Sequence, residues 1–418
     1  MKDTAYSEKL ARMETDTLLP VLEPTARDFL RRQAATYRFT YQELRQVAQA
    51  ARDLEMWGEE PLGEWWRQTE AKINGSSGRQ RKKLLLSELQ SHLSILAGAE
   101  KVYPEGGLRE PPKRRVRLEE SPSSRQIFGL CPAYSEQTVC CGLHTLDAVR
   151  GCAFSCSYCT IQTFYPETAE LEVDLAEKLS GIDLDPRRRY HIGTGQASDS
   201  LIWGNRGGQL DALLAFAAAN PNVLLELKTK SENISPLLDL EVPHNVVCSW
   251  TLNTDTIIAN EEHGTATLSR RLHAARAAAD HQIPVAFHFH PMVHYQGWIQ
   301  DYPEVVSRVI EMFEPREISF VSMGSVTMIK PVIQEIRKRG GQTKILQMEM
   351  VADPHGKLTY PDAIKLQLFQ TLFASFAPWH QDVFFYLCME TASIWDQVLG
   401  YAYPTNESFE RDFLERIL

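Results

Sequence analysis

The sequence lacks a hydrophobic run long enough to cross a membrane. No apolar stretch reaches the ~20 residues that a membrane-spanning helix requires. The amino-terminal stretch MKDTAYSEKLARMETD is charged and has no apolar core, so we expect no secretory signal. These two absences favour a cytoplasmic protein and predict no membrane partner.

Cysteines are few, and acidic residues outnumber basic ones. The 418 residues contain eight cysteines, too few for a disulfide-stapled scaffold. A net charge of −10 at pH 7 does not indicate a general nucleic-acid-binding protein. Residues 76–117 differ, because they contain ten Lys or Arg against four Glu. This basic segment is either a solvated surface or a patch that contacts phosphates.

Periodic patterns predict two structural regions joined by a linker. Residues 1–103 show helical spacing of apolar residues, with Thr40 and Glu43 placed for a capping box, and predict a helical N-terminal domain. Residues 104–124 are rich in Pro, Gly and Arg and predict a basic linker. From 125 to 418, β-rich runs such as VLLELKT and PVAFHFHP alternate with helical runs. This alternation indicates parallel βαβ units, in an open sheet or a barrel.

The stretch RGCAFSCSYC places Cys152, Cys156 and Cys159 at C-x₃-C-x₂-C spacing. Thiolates bind iron–sulfur clusters, normally four to a [4Fe–4S] cluster. Structural zinc also takes four ligands, usually as two separated pairs. The vicinal Cys140 and Cys141 are a poor geometric match for a second zinc pair. Three thiolates on a [4Fe–4S] cluster would leave one iron open, where a small molecule can be chelated.

The three-cysteine spacing, with the aromatic Tyr158 before the last cysteine, resembles the signature of the radical S-adenosylmethionine superfamily. The resemblance implies an α/β fold, a partial (β/α)₆ TIM-like barrel with the cluster loop after its first strand. It implies two cofactors: a [4Fe–4S] cluster bound by Cys152, Cys156 and Cys159, and S-adenosylmethionine. Reductive cleavage of S-adenosylmethionine yields a 5′-deoxyadenosyl radical.

A narrower resemblance extends over roughly residues 145–330. Six blocks, in order, are similar to those of the spore photoproduct lyase family, which repairs a methylene-bridged thymine dimer in DNA. The blocks are GCAFSCSYCTIQT, QASDS, LKTKSENISPLL, SWTLNTD, GTATLSRRLHAARAA and HPMVHYQGWIQDY. No single block is specific, but their shared order and spacing are.

The resemblance also implies which residues bind S-adenosylmethionine. Ser198, Lys230 and Thr251 fall where the family contacts this cofactor, and Asp199 and Asn253 match positions that line the same pocket. A lysine suits the methionyl carboxylate as a point cation. Asp199 could equally cap a helix N-terminus.

Two positions depart from the family pattern. The lyases carry a cysteine just before the Ser-Asp pair, which returns a hydrogen atom to the product radical, whereas this sequence has Gln196 followed by Ala197. Amide N–H bonds are poor hydrogen donors to carbon radicals. Thr160 stands where the lyases carry a second tyrosine used in radical transfer.

The departures leave the hydrogen donor open. Tyr158 and Cys248 are the candidate catalytic residues, although strand alternation places Cys248 on the same face as apolar neighbours and predicts that it is core. Three further residues are candidates only because they are thiols: Cys140, Cys141 and Cys388.

The leading hypothesis is a radical S-adenosylmethionine lyase of the DNA-repair type, which abstracts hydrogen from a thymine dimer or a modified nucleotide. Its expected partners are DNA, contacted through residues 76–117 and the barrel mouth, and a reductase such as flavodoxin or ferredoxin. One alternative keeps the radical chemistry but uses a non-DNA substrate in a pocket of four side chains: His288, His290, His294 and Tyr295. The other is a cluster-bearing nucleic-acid-binding or redox-sensing protein without turnover.

Overall fold

The computed structural model describes residues 2–73, 78–111, 115–121, 126–165 and 167–418. Its helices are α1 Lys2–Glu14, α2 Pro24–Tyr37, α3 Tyr41–Trp57, α4 Leu62–Lys72, α5 Gly78–Gly98, α6 Ile161–Phe164, α7 Leu175–Ser180, α8 Gln209–Ala219, α9 Ser235–Leu238, α10 Asp255–Glu261, α11 Leu268–Asp280, α12 Trp298–Met312, α13 Lys330–Lys338, α14 Asp362–Ser375, α15 Ala392–Leu399 and α16 Asn406–Ile417. Its strands are β1 Arg117–Ser121, β2 Phe128–Leu130, β3 His144–Leu146, β4 Val149–Arg150, β5 Ser155–Cys156, β6 Thr168–Glu172, β7 Tyr190–Thr194, β8 Val223–Thr229, β9 Val246–Thr251, β10 Glu262–His263, β11 Val285–Met292, β12 Ile318–Ser325, β13 Thr327–Met328, β14 Val351–Ala352, β15 Leu358–Thr359 and β16 Phe384–Leu387.

The chain divides into two compact units. Unit 1 comprises residues 1–113 and 330–349, and unit 2 comprises residues 114–329 and 350–418. The sequence-based boundaries at 103 and 125 stay predictions, because compactness does not test independent folding. Part of the predicted linker, residues 112–114 and 122–124, lies outside the described residues.

Unit 1 contains the helices α1 to α5. Thr40 caps the N-terminus of helix α3. Its side chain accepts from the Glu43 amide while the Glu43 side chain accepts from the Thr40 amide, the predicted capping box. The helices pack around Trp66, which is fully buried, with Phe39 and Tyr37 rings about it. Truncating an aromatic side chain in such a core typically costs ~3–5 kcal/mol.

Helix α13 also belongs to unit 1, where it packs on α3. Arg337 donates two hydrogen bonds to the buried Asp53 carboxylate, at 2.6 and 2.9 Å. Arg52 donates to the backbone carbonyls of Arg337 and Arg339, at 2.7 and 2.6 Å. These bonds satisfy the last carbonyls of α13 and bind it to the N-terminal helices.

The main sheet of unit 2 has the order β16-β12-β11-β9-β8-β7-β3-β2 in the described residues. All its pairs are parallel except β2 with β3. The strand order follows the chain, so strands that succeed one another within this sheet are also neighbours in space. The parallel strands are buried runs such as VLLELKT, as expected where helices cover the outer face. The curled sheet confirms the predicted partial barrel, with the cysteine loop after β3 and β4.

The parallel arrangement positions the residues predicted to be functional. Ser198 follows β7, Lys230 follows β8, and Thr251 ends β9. Because these strands are parallel, their carboxyl ends lie at one edge of the sheet, where barrel enzymes place their active sites. Separately, none of the helices described here is both long and apolar enough to cross a bilayer.

Candidate active site at the cysteine loop

A pocket at the carboxyl edge of the sheet brings most of the predicted site residues together. Thirteen residues line it: Cys152, Phe154, Cys156, Tyr158, Cys159, Ile161, Gly195, Ser198, Asp199, Lys228, Thr229, Lys230 and Thr251. The three cysteines of the C-x₃-C-x₂-C stretch therefore share a pocket with four of the five residues predicted to bind S-adenosylmethionine.

The fifth predicted residue, Asn253, lies outside this lining. Its side-chain amide donates to the Pro291 carbonyl and its side-chain oxygen accepts from the Tyr302 hydroxyl, both at 3.0 Å. Cys248 is fully buried within β9, as strand alternation predicts. Neither side chain reaches the pocket of the three cysteines.

The start of the cysteine loop is fixed at Gly151. Its φ of +89° and the space around it exclude a side chain, because a Cβ there would lie 2.3 Å from the Thr168 carbonyl oxygen. The Gly151 amide donates to the Ala197 carbonyl at 2.8 Å, and the Ser198 hydroxyl donates to the Gly151 carbonyl at 2.7 Å. Ser198 thus joins the cysteine loop to the segment after β7.

A buried ion pair supports the other side of the loop. Cys156 in β5 pairs with Glu262 in β10, and the Tyr158 hydroxyl donates to the Glu262 carboxylate. Arg271 contacts that carboxylate at 2.5 Å, and both side chains have zero exposure. Burial would raise the pKa of Glu262, but the charges of Arg271 and Lys230 lower it below its usual value.

The thiols are close enough for their charges to interact. Burial raises the pKa of Cys152 to about 12, with the charges of Asp199 and Cys159 adding to it. Burial also raises the pKa of Cys156, and the Lys230 ammonium opposes that rise. Metal binding to such thiols releases their protons. The three thiols line one pocket. Among the described residues, no group of three or more His, Cys, Asp and Glu side chains is placed to hold a single metal ion.

Both carboxylate oxygens of Asp199 accept hydrogen bonds from nearby residues. They accept from the Lys230 amide at 2.6 Å, the Thr229 hydroxyl at 2.8 Å, and the Leu201 and Ile202 amides at 3.1 and 3.0 Å. Burial raises the pKa of this carboxyl despite those donors. Asp199 therefore holds the turn after β7 and the backbone of Lys230, which makes it a positioning residue.

Lys230 presents its ammonium to the pocket. The Nζ atom lies 5.8 Å from the centre of the Tyr158 ring. Its charge acts on Cys156 and Glu262. Thr251 stands on the neighbouring strand, where its carbonyl accepts from Arg271 at 2.8 Å. A cation beside three thiols and a hydroxyl-bearing residue can bind an anionic group of a small ligand.

Sequence reasoning missed a buried polar network centred on Glu226. Its carboxylate accepts from Ser249 and His288 at 2.5 Å and from His191 at 3.0 Å, and Lys228 lies 3.8 Å away. Burial and the Lys228 charge lower the pKa of His288, Glu226 opposes them, and the net pKa is about 4. Alternation along VLLELKT, which places Glu226 and Lys228 on one face, is the signal that could have found it.

The four residues of the predicted non-DNA pocket divide between two places. His288 and His290 stack edge to face with centroids 5.0 Å apart, and His290 lies near the Glu226 network. Tyr295 instead donates to the Thr254 hydroxyl, and the His294 ring packs on Trp298.

The basic segment is only partly described. Residues Gly78–Lys83 form the first turns of α5, and Lys82 pairs with Glu43 at 3.0 Å. Residues 76–77 and 112–114 lie outside the described residues. A phosphate-contacting role for this segment stays a prediction.

The fold and the site together define a half-barrel α/β protein with a three-cysteine loop at its carboxyl edge. The sequence profile of the family described as "SPL: Spore photoproduct lyase" matches residues 143–353, half of the chain. The chain belongs to the spore photoproduct lyase family.

Two individual spore photoproduct lyases have low sequence identity to this chain. The chain is 25% identical to a spore photoproduct lyase of Clostridium acetobutylicum over 183 residues, 42% of this chain and 54% of that protein. It is 23% identical to one of Geobacillus sp. over 210 residues, 48% of this chain and 62% of that protein. The chain thus spans between about half and two thirds of the length of these relatives.

Solved structures share the fold. A spore photoproduct lyase complexed with dinucleoside spore photoproduct gives a TM-score of 0.56 at 18% identity, covering 80% of this chain and 96% of that one. A mutant of spore photoproduct lyase with bound AdoMet and the same dinucleoside gives 0.55 at 18% identity, with the same coverage.

Proposed function

We propose that this chain is a radical S-adenosylmethionine enzyme of the spore photoproduct lyase type, which abstracts hydrogen from a thymine-dimer lesion or a modified nucleotide in DNA. The observation that carries the proposal is the pocket that joins Cys152, Cys156 and Cys159 to Lys230 and Thr251. The family assignment supports it, and so do the AdoMet and the dinucleoside spore photoproduct bound in the solved relatives.

Five residues of the pocket would contact the two cofactors directly in this proposal. The three thiolates would hold a [4Fe–4S] cluster, and the donor set fits because it leaves one iron for a chelating ligand. When bound, the cluster and S-adenosylmethionine supply hydrogen abstraction by a 5′-deoxyadenosyl radical. Lys230 would meet the methionyl carboxylate, and Thr251 would offer a hydroxyl to the same ligand.

The remaining predicted residues divide by position. Ser198 and Asp199 line the pocket and orient its backbone, through Gly151 and Lys230 respectively. Asn253 would act from behind the pocket wall, since its polar atoms are engaged elsewhere.

The candidate donors of a hydrogen atom to the product radical are Tyr158 and Cys248. Tyr158 borders the pocket, but its hydroxyl proton is held by Glu262, and burial raises its pKa well above the usual value. Cys248 is buried behind the sheet surface. If Cys248 is the donor, Cys248→Ala will lose product while S-adenosylmethionine cleavage persists; if it is core, turnover will be unchanged.

The proposed function also involves two binding partners and a cellular location. DNA would contact the barrel mouth and the basic segment at residues 76–117, and a flavodoxin- or ferredoxin-like reductase would supply electrons. A cytoplasmic location fits, because thiols stay reduced there. DNA affinity that falls steeply with salt would support the phosphate contacts, and salt-independent binding would argue against them.

The direct test is anaerobic. The reconstituted protein is reduced with dithionite, given S-adenosylmethionine, and assayed for 5′-deoxyadenosine with and without DNA carrying ultraviolet-induced thymine lesions. Formation that rises with lesion DNA, with thymines restored, supports the proposal. Formation indifferent to DNA favours a non-DNA substrate, for which the polar Glu226 network offers recognition groups. No cleavage under any condition overturns the enzymatic assignment.

Two variants separate ligand binding from cluster binding. Cys156→Ala should abolish the broad iron–sulfur absorbance. Lys230→Ala should keep that absorbance but weaken S-adenosylmethionine binding, measured by calorimetry. Lys338→Ala is the matched control, because that lysine is 58% exposed in unit 1. Unchanged affinity in Lys230→Ala would contradict its assigned role.

A further inference from the structure

The pocket of the three cysteines is lined by a second lysine, Lys228, besides Lys230. Lys228 lies in β8, and Lys230 follows the end of that strand directly. Residues two apart in a strand are separated by roughly 7 Å, which sets Lys228 deeper in the barrel than Lys230. One ammonium can meet the single carboxylate of S-adenosylmethionine, and the other remains for a different anion.

The neighbours of Lys228 place it on the concave face of the curled sheet. Glu226, two residues before it in β8, accepts a hydrogen bond from His288 of β11 at 2.5 Å. Strand β9 lies between β8 and β11, and strands two apart are about 10 Å from each other in a flat sheet. The direct contact therefore indicates that the sheet curves toward these side chains. Lys228 is on the same face as Glu226 and points into the half-barrel.

Glu226 compensates the charge of Lys228 without using its hydrogen-bond donors. The Glu226 carboxylate already accepts from Ser249 and His288 at 2.5 Å and from His191 at 3.0 Å. The Lys228 ammonium lies 3.8 Å away, beyond hydrogen-bond distance, and its side chain is 18% exposed. Burial would raise the pKa of Glu226, but the Lys228 charge and the two histidines lower it well below its usual value. An ionised Glu226 thus holds the ammonium in the pocket while leaving its N–H donors for a ligand.

The segment after β7 fixes the backbone of Lys228. The Ser200 amide donates to the Lys228 carbonyl at 3.1 Å. Gly195 has a φ of +93°, and a Cβ there would lie 2.8 Å from that carbonyl oxygen and 3.0 Å from the Lys228 Cβ. This segment also contains Ser198, which bonds to the cysteine loop. Lys228 is therefore positioned by the same backbone that shapes the proposed reaction site.

From this geometry we propose that Lys228 is a specificity-determining residue that binds the phosphodiester linking the two nucleotides of the lesion. The inference rests on the proposed function, because it takes the substrate to be a thymine lesion in DNA. Thymine and deoxyribose are uncharged at neutral pH, so the phosphodiester is the anion that such a substrate brings to the pocket. A lysine ammonium binds phosphate oxygens as a point charge.

The test compares two forms of the lesion that differ only in this group: the dinucleoside, and the dinucleotide with its linking phosphodiester. The reconstituted protein is given S-adenosylmethionine without a reductant, so that no turnover occurs, and the Kd of each form is measured by calorimetry. We expect the wild type to bind the dinucleotide about tenfold more tightly, the factor expected for one charge-assisted hydrogen bond. Lys228→Met should bind the dinucleoside as the wild type does and lose this preference. Lys228→Arg keeps the positive charge and should retain much of it.

Two further variants serve as controls. Lys338→Met removes a lysine that is 58% exposed in unit 1 and should keep the wild-type preference. Lys228→Met/Glu226→Gln removes both charges of the pair, and it takes the place of the single variant if the lone Glu226 carboxylate prevents folding. Equal affinity of the wild type for the two forms would overturn the phosphate contact while leaving the proposed function intact. An undiminished preference in the variants that lack the lysine would overturn it as well.

A failure of the proposed function gives a different result. If the wild type binds neither form, the lesion is not the substrate, and inorganic phosphate becomes the probe. Phosphate that binds the wild type about tenfold more tightly than Lys228→Met would support Lys228 as an anion-binding residue in its own right. Equal phosphate affinity in the two proteins would overturn that role.

Discussion

The buried pair of Arg271 and Glu262 gives the sharpest test of how the cysteine loop is held. Arg271→Met keeps the approximate length of the side chain but removes the only cation in contact with the Glu262 carboxylate among the described residues, where both side chains have zero exposure. It also removes the hydrogen bonds from Arg271 to the Ala266 and Thr251 carbonyls, at 2.9 and 2.8 Å. Breaking such a pair costs ~3–5 kcal/mol.

That loss is large enough to follow by thermal unfolding. One kcal/mol shifts the melting temperature of a domain of ~150–250 residues by roughly 2–4 °C, so Arg271→Met should melt roughly 6–20 °C lower. Adding Glu262→Gln removes the orphaned charge and should recover much of the loss. The control Arg270→Met breaks an exposed pair with Glu232, 65% and 49% exposed, worth about 0–1 kcal/mol.

A melting temperature of Arg271→Met within about 2 °C of the wild type would refute the stabilising role of the pair, because so small a shift corresponds to a loss of no more than about one kcal/mol. It is also refuted if the double variant is no more stable than the single one, because the cost would then not come from the unpaired carboxylate.

Three further perturbations test other parts of the structure. The pKa of His288 is about 4 in the folded chain and about 6.5 in the unfolded chain, so the unfolded chain binds more protons between these pH values. The free energy of unfolding should therefore fall by roughly 3 kcal/mol as the pH falls from 6.5 to 4. In urea titrations, His288→Asn should show a flatter dependence of stability on pH over that range. Arg337→Met should cost ~3–5 kcal/mol in unit 1, partly recovered by Asp53→Asn, in denaturation followed by tryptophan fluorescence; equal stability would contradict the buried pair. Gly151→Ala should lower reconstituted iron because its Cβ collides with backbone, whereas Gly106→Ala, with open space around it, should not.

The parts of the fold that follow from local pattern were predictable. Runs such as VLLELKT become buried strands because β-branched and apolar residues fit a sheet covered by helices. The spacing of Cys152, Cys156 and Cys159 likewise places three thiols on one short loop, and the structure gives them one pocket. Their metal-binding role and the roles of the other site residues remain predictions.

What depends on distant partners could not be read from the sequence. Helix α13 has the same βα pattern as its predecessors, yet Arg337 finds its carboxylate on α3, 284 residues away. Asp199 could be identified as a pocket residue but not as the acceptor that fixes Lys230. The bridge between Val139 and Glu390 likewise joins two distant segments, which no local periodicity encodes.

The pairing of β5 with β10 has a consequence for biosynthesis. The cysteine loop is completed by Glu262, 104 residues after Tyr158. At ~5–20 residues per second, the ribosome needs about 5–20 s to deliver β10 after the loop has been made. During this interval the cysteine loop lacks its pairing with β10, so its thiols are exposed on the growing chain. Iron delivered during translation would meet a loop that has not yet folded. Cluster assembly should accordingly be a late step that favours the finished chain.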